Sequence, residues 1–427
     1  MSHVLIWRRM SKGSELDIFH PTDYSTLYER VMRDWNGISQ NWGNRVWFQG
    51  IYSALDNGEN TYDFLQDPID IDKINSQYDF IILSLANIFC VEYIDGLRNY
   101  AEIFEKINIP VFVVACGVQA DSYDSLDDLI NIIGKDSKMF IRSIYNTGGE
   151  FALRGYFTKQ FFEKLGFNSA VVTGCPSLFQ FGPDFKVNNT KQDTGILNPV
   201  FNGHLKPYAE LMKEYQSSIF IDQDEFLKPL LYADYLKNAN LKFKLDFISN
   251  YGIDAANMIA SGRIRMIADT NDWWNYLQNK GFNFSFGSRI HGTIMSILSG
   301  IPSTIVAYDS RTREMAEYFD IPMIITDKKH CFTKNELIDT YSTMDYSLFN
   351  DRFHQRFDAY EQFFVEHGIV SHINKNNKFF ARKDDMSFEL VLDQNKDDFK
   401  NFYDDLSKNE LYLSIANKLR KLKRRIF

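Results

Sequence analysis

In the segment Gly287-Ser288-Arg289-Ile290-His291-Gly292-Thr293 an arginine and a histidine stand two positions apart. Arginine presents a planar fork that matches a carboxylate or a phosphate, and histidine exchanges a proton near neutral pH. Together they can hold an anion and move a proton. The preceding Phe284-Ser285-Phe286 reads as a strand, and Ile294, Ile297 and Leu298 recur at helical spacing before Gly300, so the segment is a turn from strand into helix. At a helix start the unpaired backbone N–H groups and the positive end of the dipole add to the attraction for an anion. An equally open alternative has Arg289 paired with an acid of the core and His291 satisfied within the first helical turn.

Three further groups bear on chemistry. Asp309-Ser310-Arg311-Thr312-Arg313-Glu314 follows a strand and opens a helix, so Asp309 meets a sugar hydroxyl or caps the helix, and Arg311 can approach an anion. Arg313 and Glu314 read as ordinary first-turn charges. Asp222-Gln223-Asp224-Glu225 contains the Asp-x-Asp pattern that binds a metal and a sugar nucleotide in some transferases, but an acidic turn ending the strand Ile219 to Ile221 explains it better. Trp42, Trp47, Trp273 and Trp274 could stack on sugar rings and are better read as packing residues. Gly117, Gly148 and Gly149 supply turns without a G-x-G-x-x-G or Walker spacing, which removes the main support for a nicotinamide or nucleoside triphosphate site.

The elements that position these residues follow a βα rhythm. Strands are predicted at Val4 to Trp7, Phe80 to Leu85, Pro110 to Gly117, Phe151 to Gly155 and Ala170 to Gly174, with helices over Arg45 to Leu55, Leu126 to Ile133 and Thr158 to Leu165. Pro110 to Gly117 is apolar on both faces, as a buried parallel strand must be. The polar stretch Lys186 to Asp193 reads as a linker. Strands then resume at Gly195 to Asn198, Ser218 to Ile221, Ile264 to Ala268, Phe284 to Phe286 and Ser303 to Tyr308, and Arg352 to Phe364 forms a helix able to pack across both halves. The expected fold is α/β: two Rossmann-like domains, 1–185 and 190–345, facing each other across a cleft in the GT-B-like manner, with a helical C-terminal extension, 346–427. Ligands then meet in the crevice at the carboxyl ends of the strands.

A chain of 427 residues suits two such cores, and 44% hydrophobic with 15% aromatic residues is ample material to fill them. The net charge of −9 argues against general phosphate neutralisation, so no nucleic-acid partner is expected. Four scattered cysteines, Cys90, Cys116, Cys175 and Cys331, form neither a zinc pattern nor a disulfide framework, which fits a reducing cytoplasm. The apolar stretch Val4 to Trp7 is too short for an export signal, and no apolar run reaches the roughly 18 to 20 residues that cross a bilayer. The one basic block, Lys418 to Phe427, lies beside Leu411, Leu413, Ile415, Leu419 and Leu422, so it reads either as an amphipathic helix at the inner face of the cell membrane or as a solvated terminus.

With these residues in view, the chain resembles the polysaccharide pyruvyltransferase family. The likeness rests on Gly287-Ser288-Arg289-Ile290-His291-Gly292, Gly300-Ile301-Pro302, Asp309 to Glu314 and Ile321-Pro322. It extends to Asn41-Trp42-Gly43-Asn44 and to Leu153-Arg154-Gly155, and does not constrain the last third. The resemblance implies transfer of an enolpyruvyl-derived group from phosphoenolpyruvate to hydroxyls of a saccharide acceptor, commonly lipid-linked, with no metal or redox cofactor. It carries the family's Arg-x-His element onto Arg289 and His291 as catalytic residues, with Arg154, Asn44, Gly43, Ser288, Asp309 and Arg311 as substrate-binding positions. Relatives often have aspartate where Asn44 stands. Two alternatives stay open: a GT-B-like glycosyltransferase using a nucleotide sugar, and a non-catalytic glycan-binding or assembly protein.

Overall fold

The computed structural model describes residues 2–9, 41, 43–55, 59–65, 68–189, 197–223, 240–252, 254–267, 270–371 and 396–409, together with Tyr412, Ser414 and Lys418. The first half runs β1 (His3–Arg9), α1 (Asn44–Leu55), β2 (Thr61–Leu65), α2 (Ile71–Gln77), β3 (Phe80–Ser84), α3 (Ile94–Phe104), β4 (Val111–Cys116), α4 (Leu126–Asn146), β5 (Glu150–Leu153), α5 (Tyr156–Lys164) and β6 (Val171–Val172). These strands form one parallel six-stranded sheet in the order β2-β1-β3-β4-β5-β6.

The second half runs β7 (Pro199–Asn202), α6 (Ala209–Glu214), β8 (Ile219–Ile221), α7 (Leu241–Tyr251), α8 (Asp254–Ala260), β9 (Ile264–Arg265), α9 (Thr270–Asn279), β10 (Phe284–Gly287), α10 (Ile290–Leu298), β11 (Ser303–Ala307), α11 (Ser310–Phe319) and β12 (Met323–Ile325). Its parallel sheet has the order β12-β11-β10-β7-β8-β9. Counted from its own first strand this is the Rossmann order, and the strand order reverses between β7 and β10, where such sheets open a crevice at their carboxyl ends. The helices α12 (Lys334–Thr343), α13 (Ser347–Glu366) and α14 (Lys396–Lys408) complete the described chain.

Alternation along β1 explains how the first sheet is covered on both faces. Val4 and Ile6 join a core that continues through α1 into Phe201, Phe286 and Ile305 of the second sheet, whereas Leu5 and Trp7 join a separate core with Leu97, Phe140 and Phe161. Every residue of α1 from Arg45 to Leu55 is buried, because the helix is gripped from both halves. Gln180 Nε2 donates to Val46 O at 3.1 Å, and the Thr270 hydroxyl donates to the Gln49 side-chain oxygen. Helix α13 spans the same seam. Its Phe363 meets Phe112 of β4 edge-on at 6.2 Å, Tyr360 stacks on Phe179 at 5.0 Å, and the Tyr346 hydroxyl at its start donates to Ser303 O of β11 at 2.6 Å.

Several boundaries differ from the sequence reading. Of the strand expected at Gly195 to Asn198, Gly195 and Ile196 lie outside the described residues and Leu197 and Asn198 precede β7, in which Pro199 to Asn202 pair with Phe284 to Gly287. The one expected at Ile264 to Ala268 stops at Arg265. The helix expected over Leu126 to Ile133 continues to Asn146, its apolar face extended by Phe140, Ile141 and Ile144. Helix α13 extends the expected Arg352 to Phe364 at both ends. Trp42, Asp224, Glu225 and the basic tail after Lys418 lie outside the described residues. No described helix is long and apolar enough to cross a membrane.

Candidate active site

The predicted strand-to-helix turn sits at the reversal point of the second sheet. Gly287 faces Asn202 across the β10–β7 pair so closely that a Cβ would overlap the Asn202 side chain and carbonyl. Asn202 Oδ1 accepts the Arg289 backbone N–H at 3.2 Å and the Thr293 hydroxyl at 3.3 Å. Arg289 is the N-cap of α10 and makes no side-chain cap, so Asn202 anchors the helix start from the neighbouring strand. His291 follows in the first turn, 7% exposed, above the buried Ile294 and Ile297.

Arg154 reaches the same place from the first sheet. It follows β5, its N–H donates to Cys116 O at 2.8 Å, and its side chain is only 1% exposed. Nη1 donates to Asn87 Oδ1 at 2.9 Å, while Nε and Nη2 are buried without partners among the described residues. A buried guanidinium with idle donors is costly unless a ligand completes it. Cys175 Sγ lies 3.9 Å from His291 Nε2 and 2.9 Å from Ser177 Oγ.

Burial holds His291 well below the usual histidine value, and the nearby charges of Arg154 and Arg311 push in the same direction. The imidazole is therefore neutral near pH 7, in a site biased toward anions. Asp309 Oδ1 accepts from the Thr312 N–H at 2.8 Å while the Asp309 N–H donates to Thr312 Oγ1 at 3.4 Å, forming a capping box at the start of α11. Its other oxygen lies 3.5 Å from Arg311 Nη2. Asp309 thus takes the capping alternative and lies beside the basic group.

Glu314 departs from its reading as an ordinary first-turn charge. It is 1% exposed, and its carboxylate accepts the Thr158 N–H at 3.0 Å and the Thr158 hydroxyl at 2.8 Å. The N-cap of α5 is Gly155, which has no side chain to offer, so an acid of the second half caps a helix of the first. Burial pushes the Glu314 carboxyl up to about 7 against the opposing pull of Thr158 and Arg154. Ser310 N donates to Ala120 O at 3.0 Å, and Ala120 N donates to Ser310 Oγ at 2.9 Å. The Asp309 to Glu314 turn therefore joins the halves as well as carrying Arg311.

The remaining candidates are placed unequally. Gly43 is buried against His291: a Cβ there would stand 3.0 Å from His291 Cβ. Asn44 begins α1, its N–H donating to Asn41 O at 3.0 Å. Ser288 turns toward Tyr208 and Gly203 within the second half. Of the tryptophans, Trp47 and Trp273 are buried in the core and Trp274 Nε1 donates to Leu298 O at 3.0 Å, which is the packing role. Asn87 and Asn202 belong to the site or its frame and were not singled out from the sequence, whereas Cys175, Gln223 and Glu314 were read there only as a scattered cysteine, part of an acidic turn and a first-turn charge. A glycine at the start of α5 was the one local sign that a cap had to come from elsewhere.

Among solved structures, the chain is similar to S. aureus MnaA in its UDP co-structure, with a TM-score of 0.42, 9% identity, and coverage of 89% of this chain and 100% of that one. It is similar also to the glycosyltransferase SnogD from Streptomyces nogalater, with a TM-score of 0.34, 9% identity, and coverage of 86% and 99%. A comparison with curated proteins finds no match. Residues 27–310 match the family described as polysaccharide pyruvyl transferase, a stretch that includes both Arg154 and the Arg289-Ile290-His291 turn. The chain belongs to the polysaccharide pyruvyl transferase family.

Proposed function

We propose that this transferase moves a pyruvyl group from phosphoenolpyruvate to two hydroxyls of one sugar in a surface-polysaccharide precursor, forming a pyruvate ketal and releasing phosphate. The observation that carries this reading is a neutral, buried histidine beside two arginines, one from each half of the molecule, with Arg154 keeping two buried donors idle. Phosphoenolpyruvate is small, strongly anionic and needs a proton at its methylene carbon, which is what such a site can supply.

In this mechanism Arg154 and Arg311 bind the carboxylate and phosphate, and Arg289 at the N-cap of α10 is a further donor to the same anion. Their charge is then neutralised, and His291 regains basicity and becomes protonated. His291 gives that proton to the methylene carbon, generating positive charge at the central carbon. One sugar hydroxyl adds there and loses its proton to His291. The bond from carbon to the phosphate oxygen breaks, the second hydroxyl adds, and its proton leaves with the phosphate. One proton reaches carbon and one reaches phosphate, matching the two lost from the sugar. The site needs no metal or redox cofactor for this sequence.

A lipid-linked acceptor, a cytoplasmic location and peripheral membrane contact through the basic tail complete the proposal. His291→Ala should abolish phosphoenolpyruvate-dependent phosphate release in the presence of saccharide acceptors while the melting temperature is retained. Near-normal release would overturn the role of His291. Sugar transfer from a nucleotide sugar, without use of phosphoenolpyruvate, would replace the function itself.

A further inference from the structure

The acceptor side of the site has its own marker. Gln223 stands two residues beyond β8, at the carboxyl edge of the second sheet, and is 1% exposed. Both ends of its amide, Oε1 and Nε2, are buried without a hydrogen-bond partner among the described residues. Leaving both unpaired is costly, because neither end recovers the hydrogen bonds it makes to water in the unfolded chain. The amide lies between two glycines. A Cβ on Gly43 would overlap Oε1 and one on Gly292 would overlap Nε2, so only residues without side chains allow Gln223 to occupy this position. Gly292 follows His291 directly, and Gly43 also abuts His291 Cβ. The amide is therefore set against the proton-transferring residue.

The chemistry of an amide decides what fits. Oε1 can only accept, so its partner must be a donor; Nε2–H₂ can only donate, so its partner must be an acceptor. Ionised phosphoenolpyruvate offers acceptors alone and cannot satisfy Oε1. A pair of sugar hydroxyls offers both, and ketal formation requires two oxygens of one sugar at one carbon. Resting on the pyruvyl-transfer reading for the identity of that diol, we infer that Gln223 reads the acceptor: Oε1 takes the proton of one hydroxyl, Nε2 donates to the oxygen of the other, and the pair is held next to His291. Gln223 is thus a specificity-determining residue of the acceptor subsite, complementary to Arg154 and Arg311 on the donor side.

The full-length protein and its Gln223→Ala and Arg154→Lys variants separate the two subsites. Phosphoenolpyruvate binding is measured by calorimetry, and binding of methyl glucosides, galactosides and mannosides by saturation-transfer NMR. Gln223→Ala should weaken glycoside binding about tenfold or more and leave the phosphoenolpyruvate Kd within about twofold, and Arg154→Lys should do the reverse. Unchanged glycoside binding in Gln223→Ala overturns the inference, as does the absence of any glycoside signal in the wild-type protein. Equal weakening of both ligands with a lowered melting temperature also overturns it, because that is the mark of a packing role. Glycoside binding that depends on Gln223 in a protein that ignores phosphoenolpyruvate would remove the pyruvyl-transfer reading and leave the hydroxyl-binding amide standing.

Discussion

At the scale of single residues the site is governed by where charge can be tolerated. His291 is buried and neutral because water is excluded and two guanidiniums stand nearby. An anionic donor reverses the second cause, so phosphoenolpyruvate binding at pH 7 should be accompanied by proton uptake. Calorimetry in buffers of different ionisation enthalpy reads this directly, and His291→Gln should abolish it. Binding without proton uptake in the wild-type protein would remove the ligand-driven protonation. The same depression affects stability. Above about pH 6.5 the imidazole is neutral in both folded and unfolded chains and contributes nothing; below it the unfolded chain binds a proton that the native state refuses. The stability of His291→Gln relative to wild type should therefore rise as the pH falls below about 6.5, as read from denaturant midpoints.

At the scale of elements, helix starts are completed by residues from other strands and from the opposite half. Glu314 capping α5 is the clearest case. Its carboxyl is raised from the ordinary 4.5 to about 7, so its contribution is fully present below pH 4.5 and is lost as pH rises through 7. This is opposite in sign to His291, and Glu314→Gln should gain stability relative to wild type as the pH rises from 4.5 to about 7. Helix α1 makes a second test. In an exposed helix Gly→Ala is stabilising by about 1 kcal/mol. At Gly50, however, a Cβ would stand 2.5 Å from the Pro176 carbonyl carbon and oxygen, both backbone atoms. Gly50→Ala should destabilise by about 1–3 kcal/mol, and an increase in the denaturation midpoint would contradict the packing of α1 against that turn.

The whole molecule behaves as two sheets with one continuous core between them. Val4 of the first sheet and Phe286 of the second belong to the same packed cluster, and α13 lies across the seam. Phe363 belongs to this late helix yet packs on Phe112 of β4. Phe363→Ala should cost about 3–5 kcal/mol, and amide exchange should accelerate in β4 of the first sheet as well as in α13. Acceleration confined to α13 would mean that the helix is an appendage. This continuity keeps Arg154 and His291 in register, since they descend from different sheets and share a site only while the halves stay together.

The sequence by itself determined the strands with apolar residues on both faces, such as Val111 to Cys116, because burial on both sides leaves an unmistakable run. It also determined the turn from β10 into α10, because glycine, a basic pair and a helical apolar period are all local signals. It did not place Pro199 to Asn202 in β7, since the neighbouring Leu197 and Asn198 are as apolar as the segment that pairs, and pairing with β10 made the choice. Only the tertiary structure decided that Glu314 is a buried cap, that Arg154 is left with idle donors beside His291, and that Gln223 is an unpaired amide between two glycines. Each of these depends on what lies across a gap of tens to hundreds of residues. Burial and hydrogen-bond satisfaction are properties of that meeting, and local residue spacing carries no trace of them.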